Sequence, residues 1–133
     1  MNGQPEEVAA LINSAPLAEL LDIKVHEVGP GYARASLSGA GAVQRWDGIV
    51  HGGAIMTLAD QAFAGALHSV GRPHVGVQFN IHFVAPAKGG RLVAEARTVH
   101  QGKTMSVVDI TVTDEDGRVI ARATATGLAE DRA

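Results

Sequence analysis

The sequence of 133 residues predicts one α+β domain, residues 1–133, in which an antiparallel sheet of about five to six strands wraps around a long central helix, with a helical lead-in before it. Three observations carry that expectation. Residues 54–70 hold no Lys, Arg or Glu and a single acid, Asp60, so a helix here is apolar nearly all round and belongs largely inside. Val75, Val77, Phe79, Ile81 and Phe83 then alternate with Gly76, Gln78, Asn80 and His82, which is the period of a strand. Three further strand-like runs follow one another through short turns, and short turns favour antiparallel neighbours.

Taken in order, residues 6–21 place Val8, Leu11, Ile12, Leu17, Leu20 and Leu21 at helical spacing, interrupted at Ser14-Ala15-Pro16, so they read as one short helix or two joined by a bend. Residues 23–27 and 32–37 are strand-like and flank Gly29-Pro30-Gly31, a hairpin connection. The central helix follows and gives way at Gly71-Arg72-Pro73 to the alternating strand, which stops near Ala85-Pro86. Lys88-Gly89-Gly90 turns into residues 91–100, where Leu92, Ala94, Ala96 and Thr98 share a face. Gln101-Gly102-Lys103 turns again into residues 105–113. Asp114-Glu115-Asp116-Gly117 makes the last turn, into residues 119–126, with Val119, Ala121, Ala123 and Ala125 on one face.

Composition narrows the classes of function. Hydrophobic residues make up 46% of the chain, enough for a core, and 11 Lys+Arg against 14 Asp+Glu leave a net charge of -3, so neither nucleic acid nor an anionic membrane is an expected partner. There is no cysteine, hence no disulfide, thiolate nucleophile or Cys-zinc site. The other histidines, His26, His68, His74, His82 and His100, lack ligand spacing, and no metal is expected. Residues 1–7 show no signal-peptide pattern and no long apolar run occurs, so a cytoplasmic location is the expectation.

Ahead of the central helix stands His51-Gly52-Gly53, and Asp60 lies seven residues after the second glycine. Downstream come Asn-Ile-His-Phe-Val-Ala-Pro-Ala-Lys at 80–88, Gln101-Gly102-Lys103-Thr104, and Asp-Gly-Arg-Val-Ile-Ala at 116–121. Jointly, over residues 20–127, these segments resemble the hotdog-fold acyl-CoA thioesterases of the PaaI-like group. The resemblance implies a hotdog fold and hydrolysis of an acyl-CoA thioester to a carboxylic acid and coenzyme A, the coenzyme being part of the substrate and no separate cofactor being needed. It also implies a homodimer with sites at the subunit interface, and a dimer of dimers beyond it.

Thioester hydrolysis needs a polarised carbonyl and either an activated water or a carboxylate nucleophile, and Asp60 suits both of the latter roles. A free amide at the helix start, near Gly53, supplies a donor reinforced by the helix dipole, and the resemblance implies these same two roles. His51 orients substrate or donates to a neighbouring backbone group. Seven residues of helix set Gly53 and Asp60 roughly 10 Å apart, too far for one carbonyl to touch both, whereas two antiparallel helices bring Gly53 of one chain to the partner's Asp60.

Around this centre, Gly52, Arg45, Gln61 and Asn80 are candidate substrate contacts. Relatives often carry Asn where Arg45 stands, Gln61 points about 100° away from Asp60 on the helix, and Asn80 shares a strand face with Gln78 and His82. Ala54, Ile55, Leu58, Phe63 and Phe83 are the expected lining of an acyl cavity. The resemblance assigns Phe83, Ala85, Pro86 and Lys88, together with Gln101, Gly102, Lys103 and Thr104, to coenzyme A, with the two lysines as phosphate partners. The competing readings are a non-catalytic acyl-CoA-binding hotdog module and a hotdog hydratase or dehydratase, which would call for a committed His-acid pair.

Overall fold

A computed structural model describes residues 3–130 of the chain. The lead-in is two helices, α1 (Pro5–Asn13) and α2 (Pro16–Leu21), and each starts on a proline at the one helical position where a missing N–H costs nothing. Asn13 ends α1 and docks it. Its side-chain amide donates to the Val25 carbonyl at 3.0 Å and its Oδ1 accepts from the Val25 amide at 2.7 Å, so one side chain satisfies both backbone groups of a strand residue.

The strands are β1 (Lys24–Gly29), β2 (Tyr32–Ser38), β3 (His74–Phe83), β4 (Arg91–Gln101), β5 (Met105–Thr113) and β6 (Val119–Ala129). A short 3-10 turn, Gly41–Val43, precedes the central helix α3, which spans Gly52–His68 and so begins and ends two residues earlier than its apolar run suggests. All six strands form one antiparallel sheet in the order β1-β2-β4-β5-β6-β3. The hairpins between consecutive strands were legible in the turns. The pairings of β2 with β4 and of β3 with β6 join segments distant in sequence, and they leave β3 as an edge strand on the far side of the sheet from β1.

Small side chains let α3 lie close on the sheet. Ala33 and Ala35 of β2 and Ala94 and Ala96 of β4 are fully buried beneath Leu58, Ala59, Ala62 and Ala66 of the helix. Against β2, a Cβ added to Gly65 would stand 2.7 Å from the Ala33 Cβ, which is shorter than carbon atoms tolerate. A helix about 10 Å wide covers only two to three strands spaced about 4.8 Å apart, and α3 packs mainly on β2, β4 and β5. Toward β3 the inner face is left open.

Two expectations change here. The alternation predicted for residues 75–83 is broken by a bulge between Gly76 and Gln78, which places Gly76 against the Phe63 ring and leaves Val75 and Val77 exposed. The central helix is not apolar and buried all round: Gly53 and Asp60 are exposed, and Met56, Thr57 and Ala64 are partly so, on one stripe facing away from the sheet. No helix among the described residues is long and apolar enough to cross a membrane.

The closeness of α3 to β2 is testable at Gly65. Alanine there gains about 1 kcal/mol of helix propensity, but its methyl meets a side chain that cannot rotate away, and overpacking of this kind costs about 1–3 kcal/mol. Gly65→Ala therefore lowers the urea midpoint and Gly65→Val lowers it further; a midpoint at or above wild type would show that the contact has slack.

Candidate active site

The site begins with how α3 starts. His51 is the N-cap, in extended conformation (φ -63°, ψ 134°), and its carbonyl accepts from the amides of Ala54 and Ile55. Its ring also caps: Nδ1 accepts a hydrogen bond from the Gly53 amide at 2.8 Å. An accepting Nδ1 carries no proton, so the ring in this arrangement is the neutral tautomer with its hydrogen on Nε2. The expectation of a free donor at Gly53 is thereby corrected, because a neighbouring ring satisfies that amide. The Gly52 amide, one residue earlier, makes no hydrogen bond among the described residues, and it is the open donor at the positive end of the helix dipole.

Gly52 lines a cleft of about 340 Å³ with Arg45, Ile49, Val50, Ile55 and residues 83–87. A Cβ on Gly52 would stand 3.4 Å from the Phe83 ring, so the ring roofs the helix start without crowding it. Phe83, Ala85 and Pro86 thus do gather with Gly52 and Arg45. The guanidinium of Arg45 is forked onto Asp47, with Nε to Oδ1 at 2.9 Å and Nη2 to Oδ2 at 2.5 Å, which depresses the Asp47 pKa.

Asp60 occupies a different cleft, of about 280 Å³, whose walls are Met56, Phe63, Gly76, Val77, Gln78 and Phe79. Phe63 and Phe79 meet edge to face, with ring centroids 5.9 Å apart. The carboxylate is not buried as the helix composition suggested, since Asp60 is exposed in the single chain; yet it lies in a recess beside β3, and desolvation pushes its pKa above the usual carboxylate value. Among the described residues it has no hydrogen bond or ion pair. Eight residues of helix, about 12 Å, separate Gly52 from Asp60. In one chain the open amide and the carboxylate therefore lie in separate clefts.

Several candidates fall elsewhere. Gln61 is turned into the interior, where its Nε2 donates to the Ile12 carbonyl at 3.0 Å and ties α3 to α1, so it is unavailable beside Asp60. Asn80 lies with Gln78, His82, Asp109, Arg122 and Thr124 on the outer face of the sheet, away from α3, because alternate strand residues point to opposite faces. Leu58 is fully buried against the sheet rather than lining a cavity. Lys88 sits near the β5–β6 turn among Asp114, Glu115, Asp116 and Arg118. Gln101, Gly102, Lys103 and Thr104 cap the opposite end of β4, held by Arg72 donating to the Lys103 carbonyl and the Ala129 amide to that of Thr104. With β4 about 33 Å long, the two lysine-bearing segments do not meet within one chain.

Met56, Gly76 and Phe79 were not singled out from the sequence as site residues. Met56 was within reach of a helical argument, being four residues before Asp60 on the same face, but the Gly76 and Phe79 contacts depend on the docking of β3.

Comparison with known proteins identifies the family. Residues 47–121, more than half of the chain, match the thioesterase superfamily. The acyl-coenzyme A thioesterase PaaI of Escherichia coli is 30% identical over 113 residues, covering 84% of this chain and 81% of that protein. The structure of the E. coli PaaI protein superimposes with a TM-score of 0.87 at 28% identity, over 92% of this chain and 89% of that one. The 1,4-dihydroxy-2-naphthoyl-CoA hydrolase of Listeria monocytogenes is 30% identical over 107 residues, 78% of this chain and 87% of that protein. A hypothetical thioesterase protein of Streptococcus pneumoniae, solved with coenzyme A, matches with a TM-score of 0.78 at 26% identity, over 83% of this chain and 87% of that one. The six-stranded antiparallel sheet around a central helix is the hotdog fold, and the chain belongs to the thioesterase superfamily as a PaaI-like thioester hydrolase.

Proposed function

We propose that the protein hydrolyses an acyl-CoA thioester to a carboxylic acid and free coenzyme A, at sites each assembled from two copies of the chain. The observation that carries this reading is the split site: an open amide at Gly52 and a carboxylate at Asp60, in separate clefts about 12 Å apart on one helix. A two-fold axis beside β3 removes the gap. Strand β3 is a ten-residue edge strand with Val75, Val77 and Phe83 exposed, and such an edge is a template for pairing with another strand. Pairing β3 with its copy, antiparallel, also lays the exposed stripe of α3 against its counterpart and sets Gly52 opposite the partner's Asp60.

The same axis accounts for the coenzyme segments. It carries the end of β3, with Lys88 beyond it, toward the start of the partner's β3, where the β4–β5 hairpin with Lys103 is anchored. Hence two segments that lie at opposite ends of one chain converge across two. The E. coli relative acts on acyl-coenzyme A and the S. pneumoniae relative holds coenzyme A, which supports this substrate class for the present chain.

Chemically, the Gly52 amide donates to the thioester oxygen and stabilises the negative charge that develops there. Ionised Asp60 either takes a proton from an attacking water or attacks the carbonyl carbon itself. As the tetrahedral adduct collapses, the C–S bond breaks and its electron pair leaves with sulfur. In the first route the thiolate receives the proton that Asp60 took and the carboxylic acid is formed directly; in the second a mixed anhydride is left on Asp60, and a water then cleaves it to the carboxylic acid and free Asp60 while the thiolate takes a proton from solvent. By accepting from Gly53, His51 fixes the helix start so that Gly52 is the amide left facing the cleft. An exposed apolar stripe and a desolvated carboxylate both fit a helix built to meet another copy.

Gly52 is the first residue of α3, a position that accepts proline, and proline removes the N–H without changing the helix start. Gly52→Pro should lower kcat by about 10²–10³. Mixed with Asp60→Ala chains, it should recover a fraction of activity in verified heterodimers, and no recovery there would refute the shared site. Asp60→Asn should abolish thiol release from CoA esters while ester binding persists; undiminished hydrolysis would remove Asp60 from the chemistry. For wild type, kcat/KM should fall as pH drops through the elevated Asp60 pKa, so the acidic limb lies above that of an ordinary carboxylate. Stability follows the opposite sense. A carboxyl whose folded pKa exceeds its unfolded value favours the native state below the unfolded pKa, and that benefit is lost as pH rises to the folded one. Asp60→Asn should therefore raise Tm at neutral pH in thermal scans.

A further inference from the structure

Trp46, the only tryptophan in the chain, is also the most exposed large apolar residue among the described residues, at 89%. An indole left in water on a mobile loop would need little explanation, but this loop is tightly built. Gly48 N–H donates to the Arg45 carbonyl at 3.1 Å, closing a turn with Trp46 and Asp47 at its tip and Gly48 at φ +85°. Behind the turn, Arg45 N–H donates to the Ile49 carbonyl at 2.7 Å, Gln44 bridges to Val50, and the Gln44 side chain donates to the Gly48 carbonyl at 3.1 Å. The Arg45–Asp47 fork spans the tip and lays the guanidinium over the indole, 4.6 Å from the ring centroid. The ring is thus held in place with one face on Arg45 and the rest open.

The loop also borders the chemistry. Arg45 lines the cleft that contains Gly52, and Trp46 precedes Gly52 by six residues, so it lies within about 20 Å of the open amide along the chain. With Nε and Nη2 committed to Asp47, the remaining guanidinium nitrogen, Nη1, has no hydrogen bond among the described residues and is free to donate to an anion.

Resting on the acyl-CoA reading above, we propose that Trp46 is the stacking platform for the adenine ring of coenzyme A, with Arg45 Nη1 donating to a phosphate oxygen of the same nucleotide. The acyl group requires an apolar recess, which Met56, Phe63 and Phe79 provide beside Asp60, whereas the charged nucleotide must stay at the wet rim. In the shared site that recess meets the partner's Gly52 cleft, whose wall includes Arg45, a cation with an uncommitted donor, and next to it in the chain stands Trp46, a planar aromatic with an open face. Aromatic-base stacking backed by a guanidinium uses both, and a preorganised turn loses little freedom on binding.

The single tryptophan makes the test direct. On the intact wild-type protein, indole emission is followed while coenzyme A, adenosine 3′,5′-bisphosphate or pantetheine is added. Quenching by coenzyme A and by the bisphosphate, but not by pantetheine, is the expected result. Quenching by pantetheine alone overturns the assignment, as does a ligand-free emission maximum typical of buried indole, which would mean that a second copy covers the ring. In kinetics, Trp46→Ala should raise KM about tenfold more for a CoA ester than for the matching N-acetylcysteamine thioester, and Trp46→Phe should restore most of the difference. Equal effects on the two esters overturn the proposal and leave the hydrolase reading intact. Quenching by the bisphosphate without thiol release from any CoA ester would have the reverse meaning, supporting Trp46 while defeating the hydrolase.

Discussion

The close approach of α3 to strands β2 and β4 governs the rest of the molecule. Alanines on the strands and Ala59, Ala62, Gly65 and Ala66 on the helix bring the two backbones together where larger side chains would hold them apart. A helix held that tightly over one part of a six-stranded sheet cannot also cover the other. The uncovered inner face beside β3 becomes the recess around Asp60, and the unused side of α3 becomes the exposed stripe that carries it.

A second constraint acts at the helix start, where the amides of Gly52 and Gly53 are adjacent but not equivalent. The ring of His51 takes one of them, and only the other is left open toward the cleft. Two consecutive glycines then have separate uses: Gly53 lets the ring fold back, its missing Cβ otherwise standing 3.1 Å from Nδ1, while Gly52 keeps the face beneath Phe83 clear. Within the proposed dimer, the electrostatics complement this arrangement. An amide at the positive end of one helix dipole meets a carboxylate that has already lost part of its hydration, so little reorganisation is required when charge develops.

Much of this was legible in the residues. A long apolar run with a single acid marked α3, alternation marked β3, glycine-bearing turns marked the hairpins, and Pro16 marked the break between α1 and α2. Local chemistry decides those features, and local chemistry is what a sequence displays. The misreadings share a different cause. Gln61 and Asn80 have the right side chains near the right motif, but Gln61 turns toward α1 and Asn80 toward the outer face of the sheet, and neither direction is set until α3 and β3 have docked. The donor was misplaced by one residue because a ring folding back on its own helix start leaves no trace in spacing.

By itself the sequence determined the element types, the hotdog resemblance, the presence of a single acid on the central helix and the conclusion that Asp60 and an amide at the helix start cannot touch one carbonyl from a single helix, since helical rise is a property of the backbone alone. Only the tertiary structure decided that Gly52 holds the open amide, that β3 is an unpaired edge with a bulge at its start, and that Asp60 faces a recess instead of the core. Those outcomes depend on pairing β6 with a strand separated from it in the chain by two others and on how closely one helix settles on alanine, and both are set by packing between distant segments rather than by any local pattern.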